Sequence, residues 1–392
     1  MKFLFCTLGS YGFIYPAIGI AKALKNKGHE VVFVTHLNFI ETIEKAGFTR
    51  IKRNETDKPS FQVKLWAEPH AVGIQVKHIE YALQQFQADI LVGNQLTLGS
   101  IIAGEIYNLP VAIIGLAAYL FPTSEILFQK SPRSEAETRI IWRYQTMMGH
   151  YYQSRKLLGL PVIHKNFADH PLLGDLCLLQ TIPELETEVN HLPQKVHLVG
   201  SCLWESNEPD QELSNWLNRP EIINDPLIYV QPGRSFQSIR FWEYLIEALG
   251  NLPLKIVASV GRMDGELTNI PPNFFIRDHI SQGLILPQAK AVICNGHTTS
   301  VLGALTHGLP SLLLPNGSGT EDLAERCQKA GAATILTETE INVNNLQTAV
   351  ETLLETSDLR QNAQRLQKAF RKIDSFETVA SLLENLAMQG KS

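Results

Sequence analysis

Apolar and polar positions along the first fifty residues come in blocks, and the period changes from block to block. MKFLFCTL is a compact apolar run and GSYGFIYP a glycine-bearing turn; AIGIAKALKNKG is amphipathic, with Ala17, Ile20, Ala21 and Leu24 on one face, and EVVFVT is apolar again. A period of two, then 3.6, then two predicts strand, helix, strand, with Gly28 as the helix stop. Such a unit implies a parallel strand pair with a right-handed crossover. The rhythm repeats at ADILVGN (88–94), followed by a helix over 99–107, and at LPVAIIGL (109–116).

From 133 to 158 the pattern becomes charged and aromatic with helical spacing, and it fits a cover on one side of a cleft. Short strands resume at DLCLLQT (175–181) and KVHLVGS (195–201). The stretch 205–226 is polar and proline-bearing and reads as a linker. Strands then recur at LIYVQPG (227–233), LKIVASVG (254–261), FFIRD (274–278), AVICN (291–295) and PSLLLP (310–315). Two doubly wound parallel-sheet (Rossmann-like) domains follow, 1–204 and 227 onward, expected to face each other across a cleft at the carboxyl ends of their strands. No internal repeat or low-complexity tract is present.

Composition narrows the partners. With 392 residues, 44% hydrophobic and 19% charged, the chain has ordinary globular content and is long enough for two cores. A net charge of -5 favours small-molecule partners over nucleic acid, because a phosphate backbone selects basic faces. Cys6, Cys177, Cys202, Cys294 and Cys327 are widely spaced and odd in number, which fits buried thiols in a reducing, cytoplasmic setting. Neither a signal-peptide core nor an apolar run of membrane-spanning length is expected.

The stretch AVICNGHTTSVLGALTHGLPSLLLP (291–315) carries the most chemistry. A strand ends there in Asn295, Gly296 and His297 and runs into a helix whose first residues are Thr298, Thr299 and Ser300. Free N–H groups and the positive dipole end at a helix start favour an anion such as a phosphate, although the same hydroxyls also serve as plain caps. Gly233, Arg234 and Ser235 follow the first strand of the second half; Arg234 is either a bidentate donor to a diphosphate or a solvated surface charge. The loops hold no clustered Asp, Glu and His of the kind that grips a divalent ion, so no metal is expected.

In their order these motifs resemble the family 1 glycosyltransferases of the GT-B fold, especially the bacterial natural-product branch. The stations are Asn295-Gly296-His297, Gly308-Leu309-Pro310, SLLLP, Gly319-Thr320 and Ala324-Glu325-Arg326, with PPNFFIRDHISQ (271–282) similar to the segment that holds the nucleotide base. GSYGFIYPAIGIAKALKNKGHEVVFVT resembles the family's acceptor loop. The resemblance implies inverting, metal-independent transfer of a sugar from a uridine or thymidine diphosphate sugar to a small, partly hydrophobic acceptor, with the nucleotide sugar as co-substrate and no further cofactor. It places the donor on the second domain (227–373), with Ile280 and His279 at the base, and the acceptor near Ser10, Tyr11, Gly12 and Phe13. A final helix (374–392) would return to the first domain.

Several positions depart from the pattern. Phe13 stands where the family has its catalytic base, and a phenyl ring accepts no proton. Asn94 falls where an aspartate often partners that base. Asn295 replaces the phosphate-binding histidine, His297 a glycine, His279 the stacking aromatic, Gly303 a ribose-binding glutamate, and Gly319 with Thr320 the acidic-Gln pair that grips the sugar. Either the base comes from elsewhere, with His297 the first candidate and His36 the second, or the fold serves as a catalytically degenerate binding or auxiliary protein, with a protein partner or other chemistry in the same cleft.

Overall fold

The computed structural model describes residues 1–53, 58–123, 132, 134–162, 169–187, 189–206, 208–233, 239–261, 267–317 and 319–390. The chain divides into two compact units, Met1–Trp204 with Ile373–Ser392, and Glu205–Lys372.

The first unit is built on a parallel sheet of seven strands in the order β3-β2-β1-β4-β5-β6-β7. Its strands are β1 (Lys2–Thr7), β2 (Glu30–Thr35), β3 (Thr49–Arg50), β4 (Ile90–Asn94), β5 (Val111–Ile114), β6 (Leu176–Leu179) and β7 (Val196–Leu198). Helix α1 (Tyr11–Asn26) crosses between β1 and β2. One buried face was expected on α1, yet Ile14, Ile18 and Gly19 are buried as well as Ala17, Ile20, Ala21 and Leu24. The reason is a second neighbour. The last helix of the chain (Ser375–Gln389) lies on α1, and a β-carbon on Gly19 would stand 2.5 Å from the Phe376 ring. That helix starts on an Asp374 cap, which accepts the Glu377 N–H at 3.1 Å, and buries Val379, Ala380, Leu383 and Ala387 in the same core as Phe3, Phe5 and Phe33.

The second unit is a six-stranded parallel sheet in the order β10-β9-β8-β11-β12-β13. It comprises β8 (Leu227–Gln231), β9 (Lys255–Ser259), β10 (Phe274–Arg277), β11 (Ala291–Cys294), β12 (Ser311–Leu313) and β13 (Ala333–Ile335). Residues 205–226 differ from a solvated linker. They contain a helix (Gln211–Leu217) capped by Asp210, and its Trp216 is buried against Phe275 with ring centroids 5.6 Å apart. Apolar residues at 213, 216 and 217 make one face, and burying them ties the segment to the β10 edge. All five cysteines are buried free thiols, and no described helix is long and apolar enough to cross a membrane.

Candidate functional site

In both sheets the strand order reverses beside the first strand, between β1 and β4 in one unit and between β8 and β11 in the other. Ligands of doubly wound sheets sit outside the carboxyl ends at that reversal. Each reversal here carries a buried asparagine.

In the second unit it is Asn295, the residue after β11, with no exposed surface. Its Oδ1 accepts the His297 N–H at 3.3 Å, which shapes the turn, while its Nδ2 donor has no partner among the described residues. Gly233, after β8, faces it: a β-carbon there would lie 2.9 Å from Nδ2 and 3.3 Å from His297 Cδ2, and φ is +70°. Gly296 has φ +84°, and a β-carbon on it would lie 2.9 Å from the Thr320 carbonyl oxygen. Only glycine fits either position without displacement. The helix Thr298–Thr306 starts three residues after Asn295, so the turn that Asn295 shapes leads directly into a helix start. The Ser300 hydroxyl donates to Gln231 Oε1 at 2.9 Å, joining this helix start to the end of β8. His297 is the N-cap; its side chain is exposed, and the protein around it lowers the imidazole pKa from its ordinary value.

Other residues expected at the donor side are held internally. Thr320 is buried, its hydroxyl donating to the Gly317 carbonyl at 2.6 Å and accepting the Asn316 N–H at 3.1 Å. Gly319 is left-handed, φ +82°, at the start of the helix Thr320–Lys329. The Ile280 N–H donates to Ser259 Oγ at 3.0 Å, and its carbonyl accepts from Tyr229 Oη at 3.1 Å. Both backbone groups of Ile280 are therefore engaged within the fold. At Gly303 a β-carbon would meet Gln282 Oε1 at 2.7 Å and Leu286 Cδ1 at 3.0 Å, so Gln282 fills the space a glutamate there would need. Arg234 and Ser235 lie outside the described residues.

In the first unit the corresponding asparagine is Asn94, the last residue of β4, also fully buried. Its Oδ1 accepts the Leu8 N–H at 3.2 Å and its Nδ2 has no partner among the described residues. Thr7 pairs in register with Thr35, and Cys6 with Gly93, so Thr35, Thr7 and Asn94 form one polar row across β2, β1 and β4. Neither threonine hydroxyl has a partner among the described residues. Ser10 caps α1 without a side-chain bond, Tyr11 is exposed at the first turn, and a β-carbon on Gly12 would meet nothing within 4 Å. Phe13 packs against the core cluster that contains Leu8, Phe61 and Val72. Phe61 itself is left-handed, φ 58°, and its carbonyl receives the Gly9 N–H at 2.8 Å, so a strained residue braces the loop.

His36, the other candidate base, lies against this loop: a β-carbon on Gly9 would stand 2.5 Å from its Cβ. Its Nδ1 accepts the Asn38 N–H at 3.4 Å. Burial and the Arg50 charge lower the imidazole pKa against the raising effect of a hydrogen bond to the Lys58 backbone. Its nitrogens are engaged by Asn38 and the Lys58 backbone, while the loop at Gly9 meets His36 only by packing.

Glu205 was not singled out in the sequence. Its carboxylate is 9% exposed, accepts the Gly283 N–H at 3.2 Å and lies 3.7 Å from His279 Nε2. Seventy-odd residues separate it from what it touches, so no local pattern announces it. Gln231, by contrast, was legible as the polar end of an apolar strand. Among the described residues no three His, Cys, Asp or Glu groups are placed to hold a metal ion. A cavity of about 420 Å³ lined by Trp216, Arg219, Pro271 and Arg277 lies along the edge strand β10, away from the reversal at β8 and β11.

Comparison with known proteins supplies the kinship. Residues 3–113 match the glycosyltransferase family 28 N-terminal domain, and 243–386 match the erythromycin biosynthesis protein CIII-like C-terminal domain. Over 98% of its length the chain is 24% identical to 4'-demethylrebeccamycin synthase of Lentzea aerocolonigenes, covering 99% of that protein. It is 23% identical to the NDP-glycosyltransferase YjiC of Bacillus subtilis over 96% of this chain and 94% of the relative. Among solved structures, the glycotransferase of kitacinnamycin superposes with a TM-score of 0.78 at 16% identity, covering 98% of this chain and 99% of that one. The glycosyltransferase VinC in complex with dTDP superposes at 0.71 with 18% identity, covering 99% and 100%. Two domain models matched in chain order, whole-length relatives and two parallel-sheet units agree: the chain belongs to the family 1 glycosyltransferases of the natural-product type, which have the GT-B fold.

Proposed function

We propose that this chain transfers a sugar from a uridine or thymidine diphosphate sugar to a small, partly hydrophobic acceptor, with the donor on the second unit and the acceptor loop on the first. The observation that carries the donor half is the unpartnered, fully buried Nδ2 of Asn295 beside the start of a helix, with Gly233 and Gly296 clearing the space around it. A neutral amide donor beside the positive end of a helix suits a diphosphate and would stabilise it as leaving group. VinC, a relative in fold, was solved with dTDP, which supports a nucleotide diphosphate as a ligand of this fold.

On the acceptor side Phe13 packs into the core and Asn94 braces Leu8, so the first loop offers neither of the usual proton-transfer groups. We assign the deprotonation either to the acceptor's own acidity or to His297, the exposed imidazole at the helix start, whose pKa is lowered by the protein around it. The same observation favours a second reading, a nucleotide-binding auxiliary protein without transfer activity. Calorimetry with UDP, TDP and their glucose conjugates, followed by a transfer assay on phenolic acceptors of graded acidity, separates them. Binding with transfer that rises with acceptor acidity supports the enzyme; binding without any transfer supports the auxiliary protein; no binding of any nucleotide diphosphate refutes both.

A further inference from the structure

We propose that the exposed face of the helix Ser357–Phe370, with the turn that follows it, is an electrostatic docking surface for anionic phospholipid headgroups, by which the protein attaches reversibly to a membrane surface without crossing it. This goes beyond the transfer reading and does not depend on it.

Residues 359–373 hold Arg360, Arg365, Lys368, Arg371 and Lys372 and no aspartate or glutamate, in a chain whose net charge is -5. Ala363, Leu366, Ala369 and Phe370 turn the other side of this helix into the core. Spacings of three, four and eleven residues set the cations on one face over about 15 Å. Arg365, Lys368, Arg371 and Lys372 are exposed, and Arg360 is half-buried. Two further exposed cations border them. The Arg360 guanidinium donates to the Lys290 carbonyl at 3.1 Å, and the Arg365 guanidinium to the Ala330 carbonyl at 3.3 Å, next to Lys329. None of the seven is paired with a carboxylate among the described residues. Asp358 and Asp374, at the two ends of the stretch, are engaged by the Ser357 hydroxyl and the Glu377 N–H.

Helix stability does not account for this pattern. Lys368 and Arg371 end the helix, where a cation opposes the dipole, but Arg360 sits in its first turn, where the dipole disfavours one. The place in the fold is a second observation. Lys290 precedes β11, Ala330 precedes β13, and Gln367 Nε2 donates to the Thr306 carbonyl at 3.0 Å ahead of β12. The helix thus runs along the amino ends of these parallel strands, at the opposite end of the sheet from Asn295. A partner on it leaves the carboxyl ends of the strands in this unit uncovered. The partner's chemistry follows from what the face lacks. Phe370, the one aromatic residue of 359–373, is buried and offers no ring on which a nucleobase could stack, and no apolar side chain of the stretch is exposed to anchor a protein interface. A plane of cations without such an anchor suits many mobile anionic headgroups, each cation strengthening attachment about fivefold.

Flotation of the full-length protein with vesicles of equimolar phosphatidylcholine and phosphatidylglycerol, against vesicles of phosphatidylcholine alone, tests this at low and at physiological salt. We expect the protein to float with the anionic vesicles only and to be released as salt rises, because exposed charges are screened. Lys368→Gln combined with Arg371→Gln should lower the vesicle partition about ten- to thirtyfold with little change in melting temperature. Lys64→Gln combined with Arg219→Gln removes equal charge from exposed sites outside the patch and should leave the partition within about twofold. Equal losses from the two pairs would show a response to net charge alone and overturn the proposal. So would absence of flotation at low salt, equal flotation with both vesicle types, or wild-type flotation after Lys368→Gln with Arg371→Gln. Retention on single-stranded or duplex DNA in place of anionic vesicles would assign the face to nucleic acid and overturn the membrane reading.

Discussion

Asn94 and Asn295 occupy equivalent places in the two units, each at the carboxyl end of the strand beside the sheet's first strand, each fully buried, and each with an Nδ2 that has no partner among the described residues. They differ in what the Oδ1 does. Asn94 reaches across to the Leu8 N–H and ties two strand ends together; Asn295 accepts His297 N–H within its own turn. The neighbouring loop differs to match. After β1, Gly9 is pressed against His36 and braced by Phe61, whereas after β8, Gly233 leaves its side-chain space to the Asn295 amide. A shared topology thus offers the same reversal twice, and the local hydrogen bonds decide whether its asparagine braces a neighbouring strand end or shapes its own turn.

The largest expected effect breaks the comparison at the first unit. Phe13→His combined with Asn94→Asp restores a base and its partner, and should raise transfer to a simple phenol by about 10²–10⁴-fold, read as kcat against the wild type. Continued silence, in a variant that folds and binds nucleotide, would place the deficit at the donor side instead.

Next come the asparagines themselves. Asn295→Leu should weaken nucleotide diphosphate binding by about 1–3 kcal/mol through loss of the Nδ2 donor, and cost less stability than Asn94→Leu, because the His297 N–H it leaves without an acceptor is only part-buried. Asn94→Leu orphans the buried Leu8 N–H, so it should cost about 1–3 kcal/mol of stability and leave nucleotide affinity alone. Calorimetry and urea unfolding on both variants decide it; two identical profiles would erase the distinction drawn above.

Acid sharpens the contrast between units. His170, buried in the first unit with Phe121 and Tyr144 edge-on to its ring, has its pKa lowered to about 3, mainly by burial. The folded value lies below the unfolded one, so this contribution is fully present above the unfolded imidazole value and is lost as pH falls from there toward about 3. A loss on the order of 2–3 kcal/mol is expected at about pH 4. His170→Phe should remove most of that dependence in urea unfolding followed at acid and neutral pH.

The smallest effect belongs to Gly303→Ala. Its β-carbon meets the tip of Gln282 at 2.7 Å, a flexible end that can turn away. Stability should change by less than about 1 kcal/mol, and donor affinity only a few-fold, if the Gln282 amide contributes to binding. A loss as large as that of Asn295→Leu would show that Gln282 is central to the donor site.

Strand and helix order, the parallel sheets and the helix start after Asn295 were legible in the sequence, because period and turn chemistry are local and each β-α unit repeats them. The motif order carried the family. Tertiary structure alone decided which polar groups remain available. Thr320 and Ile280 stood at motif positions, yet bonds to Gly317, Ser259 and Tyr229 engage them inside the fold. Residues 205–226 read as polar linker, yet Trp216 finds Phe275 and Glu205 finds Gly283, partners 59 and 78 positions away. Hydrogen bonds and burial between distant segments leave no periodic trace, so the sequence determined where the backbone turns at the strand ends, and packing decided which polar atoms the fold engages there.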